Sequence, residues 1–330
     1  MSAGQFQRSR TQDDAPRSVA RALSELAGRV REAAPVASGE VLRLERSIES
    51  MDILGFLRSA PAGARRYFRD RSAKLEVAGV GVASADTFGK HEALRFADGT
   101  TSGARAPIHF TAQPFDAART RDAAWGPFIA SACVLPSVEL RREGEQHVVA
   151  AHLCADGDRA ALVALLERLA SPIECCVVEP ALVREGDGDC EARWTRAVRA
   201  GLDAIRSGSL RKIVLARTRR YSASGALDPV AVLARLASRE LRGFRFLVEV
   251  GEGRAFLGVT PERLVSRSGR IARSEAVAGT RPRGVDGVAD RLLGESLLAS
   301  QKDRREHEFV VERVREALAS CSTSLRVEHE

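Results

Sequence analysis

The 330-residue sequence lacks any stretch of about 18 uncharged apolar residues, the length that a membrane-spanning helix needs. Its first residues, MSAGQFQRSRTQDDAPRS, contain no apolar run of the kind found in a secretory signal. Aromatic residues make up only 5% of the chain, and no basic run is interleaved with them, although the net charge is +7. We therefore expect a cytoplasmic protein that binds neither membrane nor nucleic acid. We also expect it to be a monomer. A mild positive field would suit a small anionic substrate, but we favour the simpler interpretation that the composition is biased towards arginine.

Paired cysteines are also lacking. The chain has six cysteines, but none lies in a C-x-x-C pair. Cys175 and Cys176 are adjacent, which suits neither a normal disulfide nor a zinc site. The pattern predicts reduced, mostly buried thiols.

Lysine is the third scarcity, because only Lys74, Lys90, Lys212 and Lys302 are lysines among 51 basic residues. Arginine cannot lose its proton in a protein, whereas a desolvated lysine can. Lys212 lies in GSLRKIVLAR, where the apolar run predicts a strand from Lys212 to Arg217. One interpretation is a general base whose pKa is lowered by burial or nearby cations. The other is a lysine that keeps its ammonium group in water.

The rest of the chain is 44% apolar and 29% charged, enough for a core and a solvated surface. Strand patterns come in runs and do not alternate strictly with helices. This predicts an α+β fold with large, mostly antiparallel sheets flanked by helices. The clearest linker, Val183 to Asp189, suggests a division into a flexible tail (1–18), an N-terminal half (19–189) and a catalytic region (190–330).

Local patterns predict individual elements as well. Helical spacing places Val19, Leu23, Leu26 and Val30 on one face of a helix. A second amphipathic helix is predicted from Asp158 to Leu169, and Asp228 is placed to cap a third. A hairpin of Arg263 to Ser268 and Arg270 to Val277 is predicted to turn at Ser268-Gly269.

Three further segments could carry chemistry. In FLGVTPERL, Glu262 follows a turn at Pro261 and is either a general acid or an ordinary acid in the first turn of a helix. In SEAVAGTRPRG, a predicted strand runs into Gly279 and Thr280, whose N–H and hydroxyl groups either hold a carboxylate or form a plain tight turn. In KDRREHEFVVE, Asp303, Glu306 and Glu308 crowd a helix start that is either a Mg²⁺ site or a solvated face. His307 in the same segment is predicted to be a structural histidine that forms a hydrogen bond.

Four segments resemble, in order and spacing, the chorismate-utilising enzymes: LRKIVLAR, FLGVTPERL, EAVAGTRPRG and SQKDRREHEFVVERV. This family includes isochorismate synthase, salicylate synthase, anthranilate synthase component I and aminodeoxychorismate synthase. Two upstream segments are similar to isochorismate synthases, YFRDRSAKLEVAGVGVA and WGPFIASACVLPSVEL, so that the resemblance covers residues 40–330. It implies a fold like that of anthranilate synthase component I.

The residue at 212 favours one branch of the family. Amine-forming relatives usually have glutamine there, whereas water-using relatives have lysine, and water needs a base before it attacks. The resemblance therefore points to isochorismate synthase, with salicylate synthase as the alternative. Menaquinone and siderophore synthesis are both possible pathways, and the upstream half favours menaquinone.

The resemblance also implies residue roles. Mg²⁺ would bind the ring carboxylate of chorismate, with Glu306 as a ligand, while Gly279 and Thr280 hold a carboxylate. Lys212 would take a proton from the water that attacks ring carbon 2, and Glu262 would protonate the departing 4-hydroxyl. These roles need a neutral Lys212 and a protonated Glu262 that face each other across the ring.

The sequence departs from the family pattern after Glu312. The family continues with a histidine-proline-rich strand, a substrate-binding arginine, a glycine-rich turn and a second magnesium glutamate, none of which occurs by Glu330. An incomplete sheet would leave an unpaired edge and exposed core. We therefore expect a fold that is incomplete at the C-terminus, and a chain that is inactive or unstable alone. An inactive fragment is accordingly the third hypothesis.

Overall fold

The computed structural model describes residues 11–86, 95–96, 106–115, 125–130, 133–171, 180–186, 190–239, 242–251 and 253–328. Two units emerge from the contacts within the chain. The first unit comprises Met1–Glu179 and Leu227–Pro261, and the second comprises Pro180–Ala226 and Glu262–Glu330. The predicted single boundary after residue 189 therefore differs from this division, because residues 227–261 return to the N-terminal sheet.

The helices, in chain order, are α1 (Thr11–Glu32), α2 (Ile53–Ser59), α3 (Gly126–Ala130), α4 (Arg159–Ala170), α5 (Cys190–Arg206), α6 (Pro229–Arg239), α7 (Gly287–Ala299) and α8 (Gln301–Ala319). The strands are β1 (Glu40–Ile48), β2 (Arg65–Arg69), β3 (Leu75–Val80), β4 (Ser84–Asp86), β5 (Arg95–Phe96), β6 (Phe110–Thr111), β7 (Cys133–Leu135), β8 (Val138–Glu143), β9 (Gln146–Cys154), β10 (Leu182–Arg184), β11 (Tyr221–Ala223), β12 (Phe244–Val250), β13 (Arg254–Thr260), β14 (Ser266–Ser268) and β15 (Ile271–Arg273).

An eight-stranded sheet forms the frame of the first unit, in the order β13-β12-β2-β3-β8-β9-β1-β5. Its neighbours pair antiparallel, except β1 and β5, which are parallel. A small sheet, β4-β7-β6, belongs to the same unit, whereas the pairs β10-β11 and β14-β15 lie in the second unit. The predicted α+β class with mostly antiparallel sheet is confirmed.

The hydrophobic core of the first unit is formed by one face of this sheet together with α1, α2, α4 and α6. On α1, the predicted apolar stripe is buried, namely Val19, Leu23, Leu26 and Val30. The helix begins at Thr11, however, so the expected flexible tail (1–18) is wrong for residues 11–18. A long amphipathic helix can extend past its apolar stripe, because each added residue also adds a backbone hydrogen bond.

Two aspartates cap core helices, as their positions in the sequence suggest. Asp158 accepts a hydrogen bond from the Ala161 amide at 2.9 Å at the start of α4. Asp228 accepts one from the Val230 amide at 3.1 Å at the start of α6. Each carboxylate satisfies a helical N–H that has no partner within its helix.

The opposite face of the sheet carries a buried polar cluster. Arg43 donates to Glu139 and, at 2.5 Å, to Nε2 of His152. Since arginine only donates, Nε2 must accept, and Nδ1–H of His152 donates to the Pro136 carbonyl at 2.8 Å. Burial, together with the positive charge of Arg43, lowers the pKa of His152 to about 4. Burial alone would raise the pKa of Glu139, but Arg43 holds it below its ordinary value.

A second buried ion pair joins the start of β2 to β12. Nε and Nη2 of Arg65 donate to the two carboxylate oxygens of Glu249, both at 2.9 Å. The amides of Gly63 and Arg65 donate to the same carboxylate. Burial acts to raise the pKa of Glu249, yet these bonds hold it below its ordinary value.

The cysteines only partly match the prediction of mostly buried thiols. Cys133 and Cys154 are buried, Cys190 is half-buried and Cys321 is exposed, while Cys175 and Cys176 lie outside the described residues. Within the described part of the chain, no helix is long and apolar enough to cross a membrane.

Candidate active site

The five predicted site residues all belong to the second unit, in four segments of chain. Lys212 follows α5, and Glu262 follows the end of β13. Gly279 and Thr280 lie between β15 and α7, and Glu306 lies in the second turn of α8. The unit therefore contains every residue on which the predicted chemistry depends.

Lys212 does not lie in a strand, so the predicted strand from Lys212 to Arg217 is wrong. An apolar run forms a strand only where a neighbouring strand takes up its backbone hydrogen bonds, and no described strand pairs with this segment. The segment instead packs against helices. A Cβ on Gly201 of α5 would lie 3.2 Å from Cγ2 of Ile213. Arg217 lies over the ring of Trp194, also in α5, at 5.6 Å.

Arg211, the neighbour of Lys212, contacts α8. Its guanidinium lies 4.6 Å from the ring centre of Phe309 and 3.6 Å from the carboxylate of Glu312. Lys212 itself is half-buried. Residues on both sides of the lysine are thus fixed to two helices, which limits the space that its side chain can sample.

Glu262 is exposed and stands at the entrance to the β14-β15 hairpin. Beside it, Nη1 of Arg263 lies 3.4 Å from the carboxylate of Glu275. The Ser274 hydroxyl donates to the Leu264 carbonyl at 2.7 Å. These contacts fix the chain after Glu262 to residues 274–275. The predicted hairpin is confirmed, although its strands are shorter than the apolar pattern suggested.

Gly279 and Thr280 lie in a turn, and the backbone at position 279 favours glycine. Gly279 has φ +84°, and a Cβ there would lie 2.9 Å from Cδ1 of Leu297. The next residue, Arg281, donates from Nη2 to Asp303 at 2.8 Å. Hydrogen bonding to Ser300 and to Arg281 holds the pKa of Asp303 below its ordinary value. The predicted strand into this turn ends at Arg273, so the turn is held by α7 and α8 and not by a sheet.

Glu306 has a partly exposed carboxylate that lies 3.1 Å from Nζ of Lys302, one helical turn earlier. The next residue, His307, donates from Nε2 to the Ala276 carbonyl at 3.0 Å, which confirms its predicted structural role. Within the described residues, no group of three or more histidines, cysteines or carboxylates could hold a metal ion. Glu306 could supply one ligand of a Mg²⁺ ion, but the described residues do not form a complete metal site.

Sequence reasoning did not foresee the contacts of three residues in this unit, namely Asp303, Arg281 and Arg211. One signal was available: Ser300 and Asp303 have the spacing of a capping box, and the Ser300 hydroxyl accepts from the Asp303 amide at 3.3 Å. The bond of Asp303 to Arg281 joins residues 22 apart in the chain, and no local pattern predicts such a pair.

Comparison with known proteins assigns the family. The family described as "Chorismate binding enzyme" matches residues 29–330. The chain belongs to the chorismate-binding enzyme family. The matched range contains all six segments on which the resemblance depends.

Two relatives of this chorismate-binding chain are named as isochorismate synthases. The salicylate biosynthesis isochorismate synthase of Pseudomonas aeruginosa is 34% identical over 242 residues, which is 71% of this chain and 50% of the relative. Isochorismate synthase MenF of Bacillus subtilis is 24% identical over 310 residues, which is 86% of this chain and 66% of the relative. The chain thus spans from half to just under two thirds of these relatives.

A solved structure supports the fold. The menaquinone-specific isochorismate synthase MenF of Escherichia coli superposes with a TM-score of 0.74 at 22% identity, over 94% of this chain and 71% of that one. At this identity the similarity establishes the fold of the chorismate-binding chain.

Proposed function

We propose that the protein is an isochorismate synthase, which converts chorismate to isochorismate. The observation that carries the proposal is that Lys212, Glu262, Gly279, Thr280 and Glu306 all fall in one unit of a chorismate-binding enzyme. The names of the relatives support the same activity.

In the proposed reaction, one hydroxyl enters the ring as another leaves. Lys212 accepts a proton from water, whose oxygen bonds to ring carbon 2. The ring double bonds shift, and the bond from carbon 4 to its hydroxyl breaks. Glu262 donates the proton with which that hydroxyl leaves as water. One water is added and one is lost, so chorismate and isochorismate are isomers, and general acid and base each contribute about 10²- to 10⁴-fold to such a rate.

The carboxylate of the substrate would bind at the Gly279–Thr280 turn through backbone N–H groups and the threonine hydroxyl. A bound Mg²⁺ would neutralise the charge of a substrate carboxylate, and we propose Glu306 as one of its ligands. Magnesium usually keeps several waters and takes only one or two protein carboxylates. A single glutamate is compatible with that preference.

The test is an assay of the purified chain with chorismate and magnesium, in which isochorismate is separated by chromatography. We expect Lys212→Ala and Glu262→Gln each to lower kcat by at least about 100-fold. Matched controls are Lys74→Ala, at an exposed lysine of the first unit, and Glu316→Gln, at an exposed glutamate of α8. Turnover that survives both site variants would contradict the assigned roles.

If the purified chain shows no turnover, calorimetry can measure whether it still binds chorismate. Binding that requires magnesium and weakens in Glu306→Gln would support the proposed site. A chain that neither binds nor turns over chorismate would contradict the proposal.

Salicylate synthase is the second candidate, because the lysine at position 212 is the residue expected in both water-using branches of the family. Only lyase chemistry releases pyruvate, so a coupled pyruvate assay separates the two activities. The relatives bear names from menaquinone and salicylate biosynthesis, and we retain menaquinone biosynthesis as the proposed pathway. The cytoplasmic location and the monomeric state remain predictions, which fractionation and analytical ultracentrifugation would test.

A further inference from the structure

We propose that Asp303 and Arg281 form a positioning pair, which holds the Gly279–Thr280 turn against the first turn of α8. The pair would thereby set where a substrate carboxylate binds relative to Glu306. This inference rests on the proposed function, in which the turn receives the carboxylate of chorismate.

The first support is the geometry of Arg281. Its Nη2 donates to the Asp303 carboxylate at 2.8 Å, and its Nη1 donates to the Thr280 carbonyl at 2.9 Å. One planar guanidinium therefore joins the backbone of the turn to the helix. Arginine is suited to this task because its donors have a fixed geometry.

The second support is burial. Asp303 and Gly201 are the only buried residues among those that the structure describes in the second unit. The side chains of Arg281 and Asp303 are 31% and 11% exposed, whereas the exposed fractions are 74% and 57% in the pair Arg211–Glu312. A charge pair with little solvent access keeps its geometry better than one that competes with water.

The third support is a close approach between turn and helix. A Cβ on Gly279 would lie 3.3 Å from Cβ of Asp303, so the backbone of the turn rests against the helix start. A second contact lies one helical turn further along α8, where His307 donates to the Ala276 carbonyl. Asp303 and His307 are four residues apart and share one face of the helix. Their two bonds enclose Gly279 and Thr280 from both sides.

The consequence concerns Glu306. It lies three residues after Asp303 on the same helix, about 4.5 Å along the axis. Because a helix is rigid over so short a distance, fixing the turn to Asp303 also fixes its separation from Glu306. A carboxylate on the turn and an ion on Glu306 would then meet in a defined geometry.

The experiment compares Asp303→Ala, Asp303→Asn and Arg281→Lys with the wild type. Glu316→Ala is the matched control, because it breaks an exposed ion pair with Arg313 on the same helix, far from the turn. Hydrogen exchange of residues 276–284 reports on the turn, and thermal unfolding reports on the whole chain. Chorismate binding and, where turnover occurs, kcat and KM report on the site.

We expect Asp303→Ala to speed exchange of residues 276–284 and to weaken chorismate binding by roughly tenfold or more each, as befits loss of a charged hydrogen bond. KM should rise more than kcat falls, since the pair touches no reacting atom. Asp303→Asn and Arg281→Lys keep a hydrogen bond and should restore part of both effects. Glu316→Ala should change neither.

Exchange and binding that stay within about twofold of wild type in Asp303→Ala would overturn the proposal, because a charged hydrogen bond contributes more than this. The proposal would also be overturned if Asp303→Asn and Asp303→Ala lowered thermal stability equally and left exchange of residues 276–284 and chorismate binding unchanged. That result would show a purely structural role for Asp303. A wild-type chain that binds no chorismate would contradict the proposed function and the role in substrate placement, whereas the exchange data would still decide whether the pair fixes the turn.

Discussion

The two units of this protein differ in the kind of contact that stabilises each of them internally. In the first unit, four helices bury apolar side chains against an eight-stranded sheet, and two ion-pair clusters are buried as well. In the described part of the second unit, only Gly201 and Asp303 are buried. Large apolar side chains there are exposed, among them Leu264 at 89%, Val214 at 80% and Leu298 at 72%.

This difference indicates what each unit does. Burial of apolar surface contributes about 25 cal/mol per Å², so the first unit has the stronger source of stability. In the second unit, the described contacts are mainly polar bonds between segments, together with the positive φ of Gly279. This unit also contains all the predicted site residues. Substitutions in the first unit should therefore change global stability, whereas those in the second should change local geometry.

The largest effect is expected for Glu249→Ala. This change leaves the guanidinium of buried Arg65 without its main carboxylate partner and removes the acceptor of two backbone amides. We expect a loss of about 3–5 kcal/mol in the free energy of unfolding, measured by urea titration. The control Glu316→Ala breaks an exposed pair and should cost less than about 1 kcal/mol. Similar losses for both would remove the distinction between the units.

The next effect is expected in the apolar core. Leu140 is fully buried in β8, and Leu140→Ala should destabilise the chain by about 2–5 kcal/mol. Leu298 is mostly exposed on α7, and Leu298→Ala should change stability by no more than about 0.5 kcal/mol. The same urea titration measures both. A large loss in Leu298→Ala would mean that the second unit has a core of its own.

A pH effect should also come from the first unit. The pKa of His152 is lowered to about 4, from 6.5 for an ordinary histidine. Between these values the unfolded chain binds more protons than the folded chain, so stability should fall as the pH falls from 6.5 towards 4. The loss is at most about 3.5 kcal/mol, at about 1.4 kcal/mol per pKa unit.

Urea titrations at about pH 7 and about pH 5 measure this effect, because the expected loss lies between the two pKa values. In His152→Gln the difference between the two pH values should shrink, since glutamine does not titrate. An unchanged pH dependence in this variant would show that other groups cause it.

The smallest effects are expected for two glycines of the second unit, which lie in different backbone conformations. Gly279→Ala places a Cβ at φ +84° and close to Leu297, which should cost about 1–2 kcal/mol. Gly294 lies inside α7, where an added Cβ would meet no neighbouring atom within 4 Å, so Gly294→Ala should stabilise the helix by up to about 1 kcal/mol. Circular dichroism during thermal unfolding measures both. A Gly279→Ala variant at least as stable as the wild type would show that the turn tolerates a side chain.

Sequence patterns predicted well wherever the structure depends on neighbouring residues. The stripe of Val19, Leu23, Leu26 and Val30 gave the buried face of α1, and Asp158 and Asp228 marked helix starts. Periodicity and capping act within a few residues, so they can be seen without the fold.

Predictions failed where a distant segment decides the outcome. The apolar run after Lys212 was expected to form a strand, but strand formation needs a partner that local sequence does not specify. The expected tail proved helical from Thr11, since the helix continues beyond its apolar stripe. Residues 227–261 joined the first unit because β12 pairs with β2, far away in the chain.

The family, the α+β class and the five candidate site residues could be inferred from the sequence, because each depends on residue type and order. The bonds from Arg281 to Asp303 and from His307 to Ala276, and the contact of Arg211 with α8, became visible only in the folded chain. These contacts join residues that are far apart in the chain. Their partners are set by how segments pack, which no local pattern records.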